Sequence, residues 1–230
     1  MPEDFGLYQA RSLFNEGSIM RLENGTEIKA GAFLFDMDGT IVDSSAVVNY
    51  VWGKWAERMS LDPVEVVRAA QGRRALDTIT LFCQPGFDVL EETRMVQQQE
   101  TDMLDGIVAI PGSIEMIRAL PRDRWAVVTS AERPLALARL SAAGLPIPDV
   151  LITSEDVAKG KPDPQGYLMG ASALGIAPER CIVFEDAPAG IMAGINAKSR
   201  VVAIAHDRYS VLEDNQDWID DYTDYTFVIE

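Results

Sequence analysis

Short apolar runs alternate with helix-forming stretches over the second half of the chain, and this alternation predicts an α/β protein. The apolar runs that predict strands cover residues 33–35, 125–129, 150–153, 181–184 and 201–205. Helices are predicted between the later runs, over residues 134–143, 164–174 and 188–197. Continuous apolar runs are typical of strands buried on both faces of a parallel sheet. We therefore predict a doubly wound, Rossmann-like parallel sheet.

A block of helical patterns separates the first apolar run from the others. Apolar residues recur at helical spacing in Val47, Val51 and Trp55, after serines that can cap a helix. Further helices are predicted over residues 63–72, from about residue 74, and over residues 88–104. Because this block contains no clear strand signal, we predict an inserted α-helical cap over residues 47–110.

The remaining segments divide into a core and an N-terminal extension. We assign residues 32–46 and 111–230 to the Rossmann-like core, and residues 1–31 to the extension. Asn24-Gly25 between two short segments is a strong hairpin signal, so the extension is predicted to form a small β-ribbon. The acidic C-terminal tail is expected to cover the core and to end in a short strand at 226–229.

Charge and composition narrow the classes of function. The 230 residues carry a net charge of −16, and 47% of them are hydrophobic, as in an ordinary globular protein. Nucleic-acid binding depends on clustered Lys and Arg, which we do not find, so no nucleic-acid partner is expected. A membrane span needs about 18 consecutive apolar residues, and the sequence has no such stretch. We therefore expect a cytoplasmic protein that does not bind membranes and acts as a monomer.

The two cysteines bear on the cellular compartment. Cys83 and Cys181 lie in helix-like and strand-like apolar contexts, without the C-x-x-C spacing of metal and redox sites. We predict that both are buried free thiols, which fits a reducing compartment.

Two acids follow the first predicted strand, at the edge where parallel sheets open onto a ligand crevice. Asp36 and Asp38 project to the same side until Gly39 allows the backbone to turn. Like charges this close favour a bound cation, and carboxylate oxygens suit Mg²⁺. A simple turn is the alternative interpretation, since Asp and Gly are common in turns.

The stretch FDMDGT at residues 35–40 resembles the first signature of the haloacid dehalogenase superfamily of phosphotransferases. Three later segments continue the resemblance in order. They are Thr129-Ser130, Gly160-Lys161-Pro162-Asp163-Pro164 and Glu185-Asp186-Ala187-Pro188-Ala189-Gly190. Together the four motifs extend the resemblance over residues 32–206.

This resemblance implies a set of catalytic roles. Asp36 is the implied nucleophile, which forms an aspartyl-phosphate, and Asp38 is the implied general acid and base. The residues implied to bind the transferring phosphoryl group are Thr129, Ser130 and Lys161. Lys161 is in addition implied to be catalytic, because its ammonium offsets negative charge on the nucleophile and the phosphate.

The resemblance also implies a Mg²⁺ site. Its implied ligands are the side chains of Asp36 and Asp186 and the backbone carbonyl of Asp38. Glu185 lies behind them or serves as an alternate ligand. The single histidine, His206, follows the last predicted core strand and is interpreted as a surface residue with no catalytic role.

The predicted cap contains a second, shorter likeness. The segment GRRALDTI at residues 72–79 is similar to one in sugar-phosphate and polyol-phosphate phosphatases, including those for 2-deoxyglucose 6-phosphate and glycerol phosphate. Arg74 matches their arginine and is the implied substrate-binding residue of the cap. Ala75 departs from the Thr or Ser often found at its position, and an exposed basic loop is the alternative interpretation.

The function these features predict is a Mg²⁺-dependent phosphatase of small sugar or polyol phosphates, with a small phosphorylated metabolite as its partner. An isomerase resembling β-phosphoglucomutase is the first alternative. Mutases of that kind usually carry Val at the position of Thr40, so Thr40 favours hydrolysis. A non-catalytic protein that binds phosphorylated metabolites is the second alternative, because fold does not imply function. The intact signature acids and lysine weigh against it.

Overall fold

The computed structural model describes residues 20–23, 25–205 and 217–230. Its strands are Met20–Arg21 (β1), Glu27–Ala30 (β2), Ala32–Phe35 (β3), Val42–Asp43 (β4), Val108–Ala109 (β5), Trp125–Val128 (β6), Leu151–Ile152 (β7), Cys181–Glu185 (β8), Arg200–Ile204 (β9), Asp217–Ile219 (β10) and Thr226–Ile229 (β11). Its α-helices are Ser45–Arg58 (α1), Pro63–Ala70 (α2), Ala75–Phe82 (α3), Val89–Asp102 (α4), Ser113–Ala119 (α5), Arg133–Ala142 (α6), Gln165–Ala173 (α7) and Pro188–Asn196 (α8). Strands and helices alternate from β6 to β9, as predicted.

Within the described residues, seven strands form one sheet in the order β1-β10-β9-β8-β3-β6-β7, and every neighbouring pair is parallel. β3 lies inside the sheet, between β8 and β6, and all four of its residues are buried. Phe35 stacks on Phe184 on one face, with ring centroids 5.2 Å apart, while Leu34 packs into a separate apolar cluster. The predicted α/β class is confirmed. Because parallel strands end at the same edge, the residues that follow β3, β6 and β8 meet there.

The hairpin prediction for the N-terminal extension is wrong, because both of its segments pair with the C-terminal tail. β1 pairs in parallel with β10, and β2 with β11. Ile28 and Ala30 of β2 are buried, and the Phe227 and Phe33 ring centroids lie 5.4 Å apart. A two-stranded hairpin alone is only marginally stable. Burial against the core therefore decides the pairing, and the predicted strand at the end of the tail is β11.

Helices α1 to α4 follow one another through most of the block predicted as a cap. The indoles of Trp52 and Trp55 are buried there and meet edge to face, and Trp55 donates to Glu92 of α4 at 2.9 Å. β4 and β5 pair antiparallel where the chain enters and leaves this block. The prediction that this block contains no strand is therefore wrong for β5, at the end of the block. β5 forms because it and β4 satisfy each other's backbone hydrogen-bonding groups. The domain bounds stay a prediction.

The two cysteines differ in exposure. Cys181 is a buried free thiol, as predicted, whereas Cys83 is free but only half-buried. Cys83 follows the last residue of α3, where helix packing no longer covers it. His206 lies outside the described residues. Across the described ranges, no helix has both the length and the apolar character to cross a bilayer.

Candidate active site

Asp36 lies in a buried, hydrogen-bonded cluster at the carboxyl edge of the sheet. It follows β3 directly, is 4% exposed, and its backbone N–H donates to the Phe184 carbonyl at 3.0 Å. Lys161, from the loop between β7 and α7, contacts the Asp36 carboxylate and donates to Glu185 Oε1 at 2.5 Å. The Tyr167 hydroxyl donates to the same Glu185 oxygen at 2.6 Å. The structure thus brings the predicted nucleophile and lysine together.

Negative charge exceeds positive charge in this cluster. Burial and the neighbouring Glu185 raise the pKa of Asp36 to about 8, and Lys161 opposes this shift. Burial acts to lower the pKa of Lys161, but the carboxylates of Asp36 and Glu185 outweigh it and raise that pKa. Burial, followed by the charges of Glu185 and Asp36, raises the pKa of Asp186. One lysine therefore faces three carboxyl groups, which favours the binding of a further cation.

The three acids lie close enough to bind one metal ion. Single carboxylate oxygens of Asp36, Glu185 and Asp186 lie within 4.8 Å of one another. The Thr40 hydroxyl donates to Asp186 Oδ1 at 3.3 Å. At Gly39, where φ is +77°, an added Cβ would lie 2.0 Å from Asp186 Oδ2, so only glycine permits this approach. An acidic, all-oxygen set of donors suits Mg²⁺, and the residues present therefore fit the predicted metal.

The Asp38 side chain belongs to a different set of contacts. Its Oδ1 accepts from the Ser44 hydroxyl at 2.7 Å and from Arg139 Nη1 at 2.8 Å. Arg139 also donates from Nη2 to Glu100 Oε1 at 3.0 Å. Neither Arg139 nor Glu100 was predicted from the sequence. One signal was present, because Arg139 follows Leu135 by one helical turn on the buried face of α6, where a charge is unexpected.

The motif after β6 contributes to both the core and the cap. The Thr129 N–H donates to the Ile152 carbonyl at 2.9 Å, and its hydroxyl accepts from the Ala131 N–H at 3.1 Å. The Ser130 hydroxyl donates to the Gly72 carbonyl, between α2 and α3, at 2.9 Å. Thr129 and Ser130 both line the cavity at the sheet edge. Ser130 therefore also joins the core to the cap.

A cavity of about 170 Å³ lies between the sheet edge and the cap helices. Its core side includes Asp36, Asp38, Thr129, Ser130, Arg139 and Asp186. Its cap side includes Asn49, Trp52, Gln71, Arg73, Gln97 and Glu100. Trp52 is buried and also reaches this cavity. The candidate catalytic acids thus share one small space with polar side chains of the cap, which suits a small metabolite.

Two neighbouring arginines of the cap point in different directions. Arg74, the predicted substrate-binding residue, forms a bidentate pair with Asp77 at 2.7 and 2.8 Å and donates to the Val157 carbonyl at 3.3 Å. With Lys161 it lines a separate cavity of about 20 Å³. Arg73 lines the main cavity, and Arg74 does not. The contacts of Arg74 therefore join the cap to a loop of the core.

The fold and the site together define a class of protein. A doubly wound parallel sheet gathers a buried aspartate, a lysine and a candidate metal cluster at its carboxyl edge, beneath a helical cap. A nucleophile, a cation site and a fixed positive charge are the groups that phosphoryl transfer needs. The class is therefore a capped, Rossmann-like enzyme suited to phosphate esters.

Comparison with known proteins identifies the family. The model of the haloacid dehalogenase-like hydrolases matches residues 30–198, and the chain belongs to that family. Hexitol phosphatase A of Escherichia coli is 41% identical over 181 residues, which cover 77% of this chain and 84% of that protein. Glycerol-1-phosphate phosphohydrolase 2 of Saccharomyces cerevisiae is 33% identical over 190 residues, covering 77% and 76%. The predicted enzyme class, a phosphoric monoester hydrolase, is confirmed.

The same fold occurs in solved structures. The crystal structure of a hydrolase from Pseudomonas syringae matches with a TM-score of 0.73 and 23% identity, covering 84% of this chain and 95% of that chain. At this level of identity the likeness shows the fold alone.

Proposed function

We propose that this chain is a Mg²⁺-dependent phosphatase that hydrolyses small sugar or polyol phosphate monoesters through an aspartyl-phosphate on Asp36. The observation that carries the proposal is the contact between the buried Asp36 carboxylate and Lys161, beside the metal-binding acids and the 170 Å³ cavity. The hexitol and glycerol-phosphate phosphatases among its relatives support the substrate class.

In the first step, a carboxylate oxygen of Asp36 forms a bond to phosphorus while the bond from phosphorus to the ester oxygen breaks. The leaving alkoxide takes a proton from Asp38. In the second step, water attacks the aspartyl-phosphate, gives a proton to Asp38, and releases phosphate and the free Asp36 carboxylate. Lys161 holds positive charge beside the nucleophile throughout.

A metal ion and two hydroxyl side chains assist this chemistry. Mg²⁺, held by Asp36, Asp186 and the backbone carbonyl of Asp38, would neutralise charge on the phosphoryl oxygens. Thr129 and Ser130 would bind those oxygens from the end of the neighbouring strand β6, where both residues line the cavity. These roles act on the phosphoryl group, which every phosphate monoester carries.

The leaving group faces a different part of the cavity. Asn49, Gln71 and Gln97 of the cap offer amide donors and acceptors there, and Arg73 adds a guanidinium. Amides of this kind can pair with neighbouring hydroxyls, which an acyclic polyol or a sugar carries and an alkyl phosphate lacks. The polar cap wall therefore supports a hydroxyl-rich leaving group.

A phosphate-release assay tests the proposal. The substrates are a hexitol phosphate, glycerol 1-phosphate, 2-deoxyglucose 6-phosphate and a nucleoside monophosphate, each with Mg²⁺ and after treatment with a chelator. We expect kcat/KM for the polyol and sugar esters to exceed that for the nucleotide by at least about tenfold. Chelation should abolish turnover and Mg²⁺ should restore it.

Product analysis separates hydrolysis from isomerisation. Glucose 1-phosphate is supplied without any bisphosphate activator, and free glucose with inorganic phosphate is the expected product. Formation of mainly glucose 6-phosphate would establish the isomerase instead. Full turnover in the absence of a divalent metal would contradict the proposed mechanism.

A further inference from the structure

A buried arginine connects the proposed acid, Asp38, to the cap. Arg139 on α6 is 2% exposed and donates to Asp38 Oδ1 at 2.8 Å and to Glu100 Oε1 of α4 at 3.0 Å. We propose that Arg139 is a positioning residue that fixes the Asp38 carboxylate for proton transfer, and that Glu100 makes this position depend on the docking of the cap. The inference rests on the proposed function, in which Asp38 is the general acid and base.

The hydrogen bonds of Asp38 leave one oxygen available. The Ser44 hydroxyl and Arg139 Nη1 both donate to Oδ1. Within the described part of the chain, no hydrogen bond reaches Oδ2 of Asp38. Two donors on one oxygen restrict rotation of the carboxyl group and keep the other oxygen available to the cavity, which Asp38 lines. This is the arrangement expected of a side chain that exchanges a proton with a leaving group.

Asp38 depends on these contacts more than its neighbours do. Its side chain is 27% exposed, whereas that of Asp36 is 5% exposed and packed against Lys161. A partly exposed carboxylate is less confined by packing than a buried one. Its orientation therefore depends on its two hydrogen-bond donors, of which Arg139 carries the charge.

The second anchor of Arg139 comes from the cap. Glu100 is 5% exposed, and α4, which carries it, packs against α6 of the core. The Arg139 Nε is buried without a hydrogen-bond partner in the described residues, so its two Nη atoms alone hold the guanidinium. If the cap moved away, Arg139 would lose Glu100, one of its two carboxylate partners, so this ion pair favours the docked cap. Cap docking and the position of Asp38 are therefore linked.

Leaving-group dependence tests this inference. An alkoxide needs protonation as it leaves, whereas p-nitrophenolate does not, and kcat/KM reports the steps up to departure of the leaving group. For Arg139→Gln we expect kcat/KM for glycerol 1-phosphate to fall about thirtyfold, as for a catalytic group displaced by about 1 Å. For p-nitrophenyl phosphate we expect a change of less than about threefold, because positioning of the acid matters little there.

Two further variants complete the test. Glu100→Gln keeps the shape and the acceptor oxygen but removes the charge. We therefore expect kcat/KM for glycerol 1-phosphate to fall by a smaller factor, about fivefold, and again by more than kcat/KM for p-nitrophenyl phosphate. If Arg139→Gln does not fold, this isosteric variant decides the outcome. Arg122→Gln is the matched control, since it breaks an exposed pair with Asp149 that lies outside the cavity. This control should leave kcat/KM for both substrates unchanged.

The outcomes separate failure of this inference from failure of the proposed function. Equal losses on both substrates, or no loss on either, would overturn the role of Arg139. Asp38→Asn is the reference, because it should reduce turnover of glycerol 1-phosphate more than any of these variants. If Asp38→Asn kept full activity, the proposed function would be wrong in its choice of acid. If Asp38→Asn lost activity while Arg139→Gln did not, only the inference would fail.

Discussion

The cavity between core and cap has two walls of different construction. On the core wall, Asp36 and Thr129 are buried at strand ends, and nearby Lys161 is buried against Asp36. On the cap wall, Asn49, Gln71 and Arg73 are exposed side chains on helices or between them. A group that is buried and paired keeps one geometry, whereas an exposed side chain can adjust to a ligand. The core wall is therefore suited to the phosphoryl chemistry and the cap wall to the choice of leaving group.

The largest expected effect comes from removing the proposed nucleophile on the core wall. Asp36→Asn should lower turnover of glycerol 1-phosphate by about four powers of ten or more, because an amide does not attack phosphorus. The side chain keeps its size, so thermal unfolding should show an intact fold. Steady-state rates at saturating Mg²⁺ measure the effect.

Asp43→Asn is the control for that substitution. Asp43 is the last residue of β4 and lies outside the cavity, where its Oδ1 accepts from the Ser45 backbone and hydroxyl, a role that Asn can also fill. Its activity should match that of the unsubstituted protein. Residual turnover of Asp36→Asn above about one per cent would rule out Asp36 as the nucleophile.

The next effect concerns Mg²⁺ binding by the core wall. In the metal-free protein, burial and Glu185 raise the pKa of Asp36 to about 8, and burial raises the pKa of Asp186. A group with a raised pKa holds its proton below that value, so the cation must displace it. The Kd for Mg²⁺ should therefore fall by about tenfold per pH unit from about pH 6 to pH 8 for each proton displaced, then level off.

Titration calorimetry measures this dependence. Runs in two buffers with different ionisation enthalpies give the number of protons released on Mg²⁺ binding, which should approach one or more near pH 6 and decline above pH 8. A Kd that did not vary with pH would show that the acids are already ionised before the metal binds.

The smallest expected effect distinguishes the two arginines of the cap. Arg73→Ala should lower kcat/KM for a hexitol phosphate about tenfold, as for the loss of one charged hydrogen bond, and that for p-nitrophenyl phosphate much less. Arg74→Ala is the matched variant. Because Arg74 joins the cap to the Val157 carbonyl of the core, its loss should lower kcat/KM for both substrates by a similar, smaller factor.

The opposite pattern would reverse this assignment. If Arg74→Ala alone lost activity selectively on the hexitol phosphate, the role implied by the resemblance to sugar phosphatases would be correct. The contacts with Asp77 and Val157 would then belong to a state without substrate. If both variants lost kcat/KM equally, and selectively for the hexitol phosphate, both guanidinium groups would contact the leaving group.

The sequence by itself determined the central sheet and the groups at its edge. Asp36, Thr129 and Asp186 each follow an apolar strand directly, so their place along the chain also sets their place at the sheet edge. This works because parallel strands end at one edge, and because strand burial depends mainly on local apolar runs. Gly39 is predictable for the same reason, since a sharp turn after the strand requires it.

Only the tertiary structure decided the contacts between distant segments. Asp38 and Arg139 are 101 residues apart, and nothing local indicates that α6 turns this arginine toward the acid or that Glu100 meets it from the cap. The pairing of β1 and β2 with the tail strands, rather than with each other, is of the same kind. Such contacts depend on which helix faces and strand edges bury the most apolar surface together, and that is a property of the packed molecule rather than of any single segment.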